Sequence, residues 1–352
     1  MKQRRKAIQF FFIVIVFSLL VLFSCTKREV KEPVSQSELL LGTVSRITLY
    51  DKQDEDIFKK GFERIQEIEE RMDFHTTTSE IARINGEGYM KPIKVSRDTF
   101  FVVERALEMA QLSGGAFDPT VGPLVAAWGI GGDSPRRPPQ EEIDNLLELI
   151  DYSKVVLNSA ELTIELLEEG MQLDLGGIAK GYAADEVAKV LKESGVNSAI
   201  INLGGNVLTV GVKPDGSHWR IGIQNPRTER GGHVMIVNVD EKTVVTSGPY
   251  ERYAELDGII YHHILDTHSG YPVESDLLSV TIITHESLYA DALSTTLYSL
   301  GLKEGLALID SLDGVEAIFI DTANNIYLSK GFEEGLYPYS ISDSQFKMGK
   351  IE

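Results

Sequence analysis

MQLDLGGIAKGYAADEVAKVL, residues 171–191, is the stretch around which the rest of the chain can be arranged. Its first five residues alternate apolar and polar side chains, which predicts a half-buried β-strand. Gly176 and Gly177 then provide a tight turn. Apolar residues recur at helical spacing from Ala179 onward, so the stretch predicts a strand, a glycine turn and a helix.

The start of this predicted helix is a candidate anion site. Free backbone N–H groups and the positive end of the helix dipole attract negative charge there, and Lys180 adds a mobile positive charge. Asp174 lies immediately before the turn. A strand-to-helix junction also favours glycine for conformational reasons alone, with Asp174 and Lys180 simply solvated. The stretch by itself leaves both interpretations open.

The first 25 residues have the pattern of a bacterial lipoprotein leader. A basic start precedes an apolar run at residues 8–23, which is shorter than the roughly 20 residues of a transmembrane helix. Ser24 favours cleavage before Cys25, so we expect a signal peptide at residues 1–24. We then expect a diacylglycerol group and an acyl chain such as palmitate on Cys25.

Residues 25–38 are polar and are expected to tether the membrane anchor to a domain at residues 39–352. Cys25 is the only cysteine in the chain. The sequence therefore predicts no disulfide, no thiolate metal site and no cysteine nucleophile in the mature domain, although that domain is expected outside the cytoplasm.

Length and charge limit the classes of function. A chain of 352 residues with 43% hydrophobic content buries a large core, as one large domain or two closely packed lobes. The net charge of −19 becomes −23 when the four basic residues of the leader are removed. Such an acidic protein is not expected to bind nucleic acid. An anionic nucleotide would need a local basic group or a bound divalent cation, which points towards a metal.

Helix starts are marked in the N-terminal half of the domain. An amphipathic helix is predicted at residues 56–72. Ser79 and Ser96 are predicted N-caps of two further helices. Asp118 followed by Pro119 also predicts a helix start, because aspartate caps free amides and proline at the first helical position loses no hydrogen bond.

Strand patterns dominate from residue 198 onward, apart from helices predicted at residues 286–300 and 303–312. The predicted strands lie at residues 41–50, 154–157, 162–166, 198–203, 207–212, 218–224, 233–239, 243–246, 259–266, 279–284, 315–320 and 325–329. The mixture predicts an α+β fold with a β-rich C-terminal half, and both tryptophans are expected in its core.

Seven motifs occur in an order that is specific when they are taken together. They are LGT (41–43), GGAFDPTVGPL (114–124), DLGGIAKGYAAD (174–185), NLGGNV (202–207), TSG (246–248), HHILDTHSGYPV (262–273) and DALSTTL (291–297). In this order the chain resembles the ApbE family of flavin transferases over residues 41–329. The lipoprotein members of that family carry the same kind of N-terminus.

The resemblance implies a mixed α/β ApbE-like fold and an enzyme that transfers FMN from FAD to a threonine or serine hydroxyl of another protein, releasing AMP. FAD is then the substrate and Mg²⁺ the cofactor. The residues that match the family's FAD contacts are Leu41, Phe74, Ala116, Phe117, Asp118, Asp174, Lys180 and the backbone around Ile264. The Gly177 carbonyl, Asp291 and Thr295 match its magnesium positions, and His263 matches its catalytic histidine.

The residue types are also consistent with this chemistry. Cleavage of a pyrophosphate requires neutralised negative charge, which a hard cation held by oxygen ligands supplies. The incoming hydroxyl must lose a proton, and a histidine near its usual pKa suits that step. Asp291 and Thr295 are four residues apart and would share one helix face. Two departures from the family are Pro249 after TSG and Leu41 in place of methionine, a change of similar volume.

Several alternatives stay open at the sequence level. Either His262 or His263 is alternatively a structural histidine within a sheet, Asp291 a helix cap and Thr295 a core residue. The chain is alternatively an FAD pyrophosphatase that releases FMN and AMP, or a flavin-binding lipoprotein without turnover. In the transferase hypothesis, the acceptor is an exported or membrane redox protein. The enzyme is then anchored to a membrane of the bacterial cell envelope.

Overall fold

A computed structural model of the chain describes residues 32–228 and 231–350. One compact unit spans Pro33–Glu352. The predicted signal peptide and Cys25 lie outside the described residues, so cleavage and lipidation stay predictions. Within the described ranges, no helix combines the length and the apolar character needed to cross a membrane.

The described residues form eight α-helices and seventeen strands. The helices are α1 Glu55–Met72, α2 Glu80–Glu87, α3 Arg97–Leu112, α4 Gly122–Trp128, α5 Gln140–Leu147, α6 Ala179–Glu193, α7 Ser287–Ile309 and α8 Lys330–Glu333. The strands are β1 Val34–Leu40, β2 Thr43–Leu49, β3 Ile93–Lys94, β4 Val155–Asn158, β5 Thr163–Leu166, β6 Ser198–Leu203, β7 Asn206–Gly211, β8 Trp219–Gln224, β9 His233–Val239, β10 Thr243–Ser247, β11 Tyr253–Leu256, β12 Ile259–His262, β13 Leu277–Thr284, β14 Glu316–Asp321, β15 Asn325–Leu328, β16 Tyr339–Ile341 and β17 Lys347–Met348.

A nine-stranded sheet organises the domain, with the order β1-β2-β6-β7-β10-β13-β14-β15-β17. Its strands pair antiparallel except for the terminal pair β15 and β17, which is parallel. Three smaller sheets accompany it, with the orders β16-β9-β8, β3-β5-β4 and β11-β12. The mixed helix and sheet architecture confirms the predicted fold class.

Alternate residues of the large sheet enter two different cores. On β14, Ala317 and Phe319 belong to the cluster that includes residues of α1, α6 and α7, and this side is called the helix-covered face. Ile318 and Ile320 belong to a second cluster with residues of β8 and β9, and this side is called the sheet-covered face. Because successive strand residues point to opposite sides, a strand covered on both faces is apolar nearly throughout.

The helix caps predicted at Ser79 and Ser96 are confirmed. The Ser79 hydroxyl accepts the Ala82 N–H at 2.9 Å, and the Ser96 hydroxyl accepts the Thr99 N–H at 3.2 Å. The two helices predicted at residues 286–300 and 303–312 form the single element α7. Gly301 interrupts it with a non-helical φ of 76°, which a residue without a Cβ adopts at little cost.

The strand predicted at residues 171–175 is wrong. These residues alternate in burial as expected, but they form only an isolated bridge, between Gln172 and Val121. The side chain of Asn85 explains the difference, because it occupies both polar backbone groups of Leu173. Asn85 accepts the Leu173 N–H at 2.7 Å and donates to the Leu173 carbonyl at 3.0 Å. A side chain thus replaces the neighbouring strand.

The helix start predicted at Asp118 is also wrong, because α4 begins at Gly122. The Asp118 carboxylate instead accepts the N–H and the hydroxyl of Thr120, at 2.8 and 2.7 Å. Its second oxygen accepts the Tyr152 N–H at 3.1 Å. Asp118 therefore ties its own turn to residue 152 rather than capping a helix.

At one edge of the sheet lies β1, a strand that the sequence did not predict, because the strand predicted at residues 41–50 corresponds to β2. Residues 34–38, which we expected in the tether, belong to β1. In the pairing of β1 with β2, Val34 lies opposite Leu49 at one end and Leu40 lies opposite Thr43 at the other. Leu41 and Gly42 form the connecting turn, with φ of 56° and 63°. This left-handed geometry at both central residues matches the right-handed twist of a hairpin.

Candidate active site

Helices α6 and α7 form the frame of the candidate site and are linked in both directions. The Gly181 N–H on α6 donates to Asp291 Oδ2 on α7 at 2.9 Å. Asp185 on α6 accepts the N–H groups of Ser287 and Leu288 at the start of α7, at 2.9 and 2.8 Å. A Cβ at Gly181 would lie 2.2 Å from the Ser287 carbonyl oxygen. Only glycine therefore allows this approach, which fixes the register between the helices.

The predicted magnesium residues lie close together across these two helices. An ideal Cβ at Gly177 would lie 3.8 Å from Thr295 Oγ1, so the turn before α6 faces α7. Asp291 is 3% exposed and lies inside α7, whose N-cap residue is Glu286, so the alternative that Asp291 caps the helix is wrong. Thr295 is half-buried, and its hydroxyl oxygen lies 3.4 Å from that of Ser247.

These donors fit a hard cation. Among the described residues, no group of three or more His, Cys, Asp or Glu side chains is placed to hold a metal ion. A cation between the two helices would instead rely on one carboxylate, a hydroxyl, a carbonyl and substrate oxygens. Mg²⁺ commonly binds in this way, with one or two carboxylates plus phosphate and water. Ligation by the Gly177 carbonyl stays a prediction.

Lys180 and Asp174 flank the start of α6. Lys180 Nζ donates to the Gly176 carbonyl at 3.2 Å and lies 3.5 Å from Asp291 Oδ1. Asp174 Oδ1 accepts the Gly176 N–H at 2.6 Å. Burial raises the pKa of the Asp174 carboxyl, while this hydrogen bond and nearby positive charges, including that of Arg252, oppose the rise. Charged groups of both signs therefore surround the turn.

The free amides expected at the start of α6 are mostly occupied. The N–H groups of Ile178 and Ala179 both donate to the Leu175 carbonyl, at 3.0 and 2.9 Å, because the turn closes on itself. The Gly181 N–H is bonded to Asp291. An anion at this end of the helix would therefore depend on side-chain cations and the helix dipole more than on free N–H groups.

The structure distinguishes the two adjacent histidines. His262 Nε2 lies 3.0 Å from the Val273 carbonyl, and its Nδ1 accepts the Ile264 N–H at 3.3 Å, so both ring nitrogens serve the local backbone. His263 Nδ1 lies 3.1 Å from the Arg252 carbonyl. Because a carbonyl only accepts, Nδ1 carries the proton in neutral His263 and Nε2 is the basic nitrogen.

Burial lowers the pKa of the His263 imidazole to about 3. The hydrogen bond to the Arg252 carbonyl opposes this shift, while the positive charges of Arg252 and Lys180 add to it. His263 is therefore neutral near pH 7, with a proton on one nitrogen and a lone pair on the other. A neutral imidazole is the form that accepts a proton in general base catalysis. A pKa this far below the usual histidine value nevertheless departs from the expectation of a histidine near its usual pKa, and it makes His263 a weaker base.

The motif GGAFD (114–118) contacts the turn before α6 and the loop that follows His263. An ideal Cβ at Gly177 would lie 3.0 Å from Cε2 of Phe117, so the ring packs directly on the turn before α6. The Thr267 hydroxyl donates to the Gly115 carbonyl at 2.7 Å, which joins the loop after His263 to the loop that contains Ala116.

The remaining predicted FAD residues are placed less directly. Asp118 is 6% exposed, and its two oxygens accept from Thr120 and from the Tyr152 N–H. Phe74 is partly buried against the helix-covered core and lies edge-on to His75, with ring centroids 5.4 Å apart. Ile264 is 4% exposed. The Leu41 turn approaches the site through Gly42, where an ideal Cβ would lie 3.4 Å from Arg252 Nη2. Direct contacts of these residues with FAD stay predictions.

Both tryptophans lie in the core, as expected. Trp128 and Trp219 are 0% and 1% exposed. Their indole N–H groups donate to the carbonyls of Gly270 and Gly211, at 2.8 and 2.7 Å. Neither ring is therefore available to stack on a flavin in this structure.

Sequence reasoning missed three residues at the site: Asp185, Ser247 and Arg252. All three lie in or close to motifs that were recognised, DLGGIAKGYAAD (174–185) and TSG (246–248). The motifs marked the segments that contain these residues but did not indicate what the residues do. Asp185, for example, bonds the start of α7, which lies about 100 residues later in the chain. Arg252 likewise acts on His263 through its backbone carbonyl.

Known proteins resemble this chain over most of its length. The sequence profile of the ApbE family matches residues 41–319. The FAD:protein FMN transferase of Treponema pallidum (strain Nichols) is 34% identical over 325 residues, which cover 88% of this chain and 90% of the relative. The FAD:protein FMN transferase of Klebsiella pneumoniae (strain 342) is 36% identical over 295 residues, 84% of this chain and 91% of the relative.

Solved structures show the same fold. The ApbE protein from Thermotoga maritima superposes with a TM-score of 0.79 at 31% identity, covering 86% of this chain and 99% of its own. The flavin transferase ApbE from Vibrio cholerae superposes with a TM-score of 0.77 at 28% identity, with the same coverage. The likeness therefore extends over nearly the whole described domain and includes every motif that suggested it.

Proposed function

This chain belongs to the ApbE family, and from that membership we propose that it is an FAD:protein FMN transferase. It transfers FMN from FAD to a threonine or serine hydroxyl of an acceptor protein and releases AMP. The observation that carries the proposal is the meeting of neutral His263, Lys180 and the Asp291–Thr295 pair around the N-terminal end of α6.

His263 acts as the general base in this reaction. Its Nδ1–H is held by the Arg252 carbonyl, so the lone pair on Nε2 accepts the proton of the acceptor hydroxyl. The hydroxyl oxygen forms a bond to the phosphorus of the FMN half, and the bond from that phosphorus to the bridging oxygen breaks. AMP leaves with the bridging oxygen, and FMN remains on the acceptor as a phosphoester.

Lys180 and the dipole of α6 hold negative charge close to the reacting groups. The Lys180 ammonium lies between the Gly176 carbonyl and Asp291, where it can reach a phosphate oxygen without a change in the backbone. The buried carboxylate of Asp291 would face a cation through Oδ1, which lies 3.5 Å from Lys180 Nζ in this structure, since Oδ2 already accepts the Gly181 N–H.

Mg²⁺ is the cation that suits this donor set. Asp291, Thr295 and the Gly177 carbonyl would hold it, and when bound it neutralises the negative charge of the pyrophosphate oxygens. The acidic balance of the chain makes such neutralisation necessary, because a net charge of −19 otherwise repels an anionic substrate.

The test is a mass measurement on an acceptor. The protein is incubated with FAD, Mg²⁺ and candidate exported redox proteins, and each acceptor is examined for an FMN-sized gain in mass on a threonine or serine. FMN and AMP that appear without a mass gain on any acceptor would favour an FAD pyrophosphatase and contradict transfer. FAD that stays intact in the presence of Mg²⁺ and every acceptor would favour a flavin-binding protein and contradict transfer equally.

We propose further that the enzyme is lipidated on Cys25 and faces the outside of the cytoplasmic membrane or the outer membrane. The support is the pattern of residues 1–25, and the expected acceptors are exported or membrane redox subunits. Cys25→Ser should remove the lipid from residue 25 without changing FMN transfer in vitro, and mass measurement of the protein in the membrane fraction detects the loss. A parent protein without a lipid-sized mass on Cys25 would contradict the anchor and leave the transferase unaffected.

A further inference from the structure

Arg252 has a side chain that extends between two glycine turns. Its Nη2 lies 3.4 Å from an ideal Cβ at Gly42, in the turn between β1 and β2. Its Cδ lies 3.6 Å from an ideal Cβ at Gly131, in the loop after α4. Gly42 and Gly131 both have left-handed backbones, with φ of 63° and 90°. Two segments that are distant in the chain thus lie beside the side chain of Arg252.

The backbone and the side chain of Arg252 have different surroundings. Its carbonyl accepts both the His263 backbone N–H and the His263 Nδ1–H, each at 3.1 Å. Its side chain is exposed, and among residues 32–228 and 231–350 the guanidinium has neither a hydrogen-bond acceptor nor an ion-pair partner. The residue is therefore fixed to the catalytic histidine while its charge stays available.

The charge of Arg252 also reaches the predicted substrate groups. It favours the ionised form of Asp174 and disfavours protonation of His263, as the charge of Lys180 does at both places. Arg252 and Lys180 therefore act on the same region from different segments. The chain has 53 acidic and 34 basic residues, so its overall electrostatic potential is negative. Two cations directed at one region make the potential locally positive there.

We propose that Arg252 binds the pyrophosphate of the dinucleotide substrate and is a specificity residue that favours a flavin carrying a diphosphate over one without phosphate. A guanidinium presents five N–H donors in a planar fork that matches phosphate oxygens, and these charge-assisted bonds are stronger than neutral ones. This assignment rests on the proposed function, since it takes FAD as the substrate.

The test compares three variants for binding without turnover. Arg252→Gln removes the charge, Arg252→Lys keeps the charge but loses the fork, and Arg220→Gln removes an exposed arginine on β8 as a matched control. Dissociation constants for FAD and for riboflavin are measured by flavin fluorescence in the absence of an acceptor. Thermal unfolding of each variant checks its folding.

Arg252→Gln should weaken FAD binding by about 10–100-fold, the usual effect of losing hydrogen bonds to a charged group, and leave riboflavin binding unchanged. Arg252→Lys should recover part of the loss, and Arg220→Gln should bind both flavins like the parent. Unchanged FAD binding, or an equal loss for FAD and riboflavin, would overturn the assignment. If Arg252→Gln does not fold, Arg252→Lys provides the test. Parental affinity for FAD combined with weaker binding of riboflavin in Arg252→Lys would overturn the assignment of Arg252 equally.

The parent protein separates this inference from the proposed function. If the parent transfers FMN and Arg252→Gln binds FAD normally, only the role of Arg252 fails. If the parent binds FAD but never transfers FMN, the transferase proposal fails, and selective loss of FAD binding in Arg252→Gln still supports the phosphate contact.

Discussion

The two faces of the nine-stranded sheet are covered by different kinds of structure. On the helix-covered face, α6 and α7 place the carboxylates of Asp185 and Asp291 against backbone N–H groups. On the sheet-covered face, the sheet of β8, β9 and β16 covers apolar residues of the large sheet such as Ile318 and Ile320. Helix starts expose N–H groups and a positive dipole end, whereas the N–H groups inside a sheet are already paired. Helices therefore provide places where carboxylates can be buried at a reactive site.

A cavity of about 590 Å³ lies beside the sheet-covered core, lined among others by Asp240, Lys242 and Glu316. None of the residues that line it belongs to the predicted site. The cavity and the predicted site therefore lie apart. Substitutions on each face of the sheet can test the comparison between the faces.

The largest effect is expected from the adjacent histidines. His263→Ala should reduce FMN transfer by about 10²–10⁴-fold while leaving FAD binding nearly intact, because it removes the general base. His262→Ala should mainly lower stability, since its ring nitrogens bond only the backbone of Ile264 and Val273. Transfer rates at saturating FAD and thermal unfolding separate the two outcomes. Parental transfer by His263→Ala would remove it from the mechanism.

A pair of core substitutions tests whether the faces differ in function. Ile282 on β13 faces the helix-covered core and Ile320 on β14 faces the sheet-covered core, and both are 0% exposed. Each change to alanine should lower the free energy of unfolding by about 2–5 kcal/mol. Because α7 packs against β13, Ile282→Ala should also lower kcat, whereas Ile320→Ala should not.

Urea unfolding and transfer kinetics at a temperature where both variants are folded would provide the measurement. An equal loss of kcat in the two variants would mean that packing on both faces of the sheet affects catalysis. The proposed difference in function between the faces would then be wrong.

Asp185 provides a pH test of the contact between α6 and α7. Burial raises the pKa of its carboxyl to about 6, above the value of about 3.9 in an unfolded chain. The folded state therefore holds this proton more tightly, so the contribution of Asp185 to stability is largest below about pH 4 and falls as the pH rises to about 6.

Asp185→Asn does not titrate. The stability of the parent relative to this variant should therefore fall by up to about 3 kcal/mol between pH 4 and pH 6, and it should then stay constant. Urea unfolding of both proteins over that pH range is the measurement. A difference that is independent of pH would show that Asp185 does not ionise in this window.

The smallest effect concerns Asp291, where the substitution is nearly isosteric. Asp291→Asn keeps an oxygen for the Gly181 N–H but removes the charge offered to a cation. The Mg²⁺ concentration needed for half-maximal transfer should rise at least about tenfold, with little change in thermal unfolding. A normal Mg²⁺ response would exclude Asp291 from a metal site.

Much of the fold followed from local rules. The caps at Ser79 and Ser96 and the break at Gly301 each depend on one residue and its neighbours in the chain, and all three agree with the structure. Two of the errors arose where a side chain bonded a distant backbone group. Asn85 took the place of a partner strand for Leu173, and Tyr152 gave Asp118 an acceptor role that no local pattern indicates.

The amino-acid sequence by itself determined most of the helices and strands, the motifs and the family resemblance, because periodicity, caps and glycine turns act over a few residues. Only the tertiary structure decided which histidine is free to act, since the tautomer of His263 depends on the carbonyl of Arg252. It also decided that Asp185 and Asp291 hold α6 against α7. Groups more than 100 residues apart acquire these roles only when folding brings their donors and acceptors within hydrogen-bond distance.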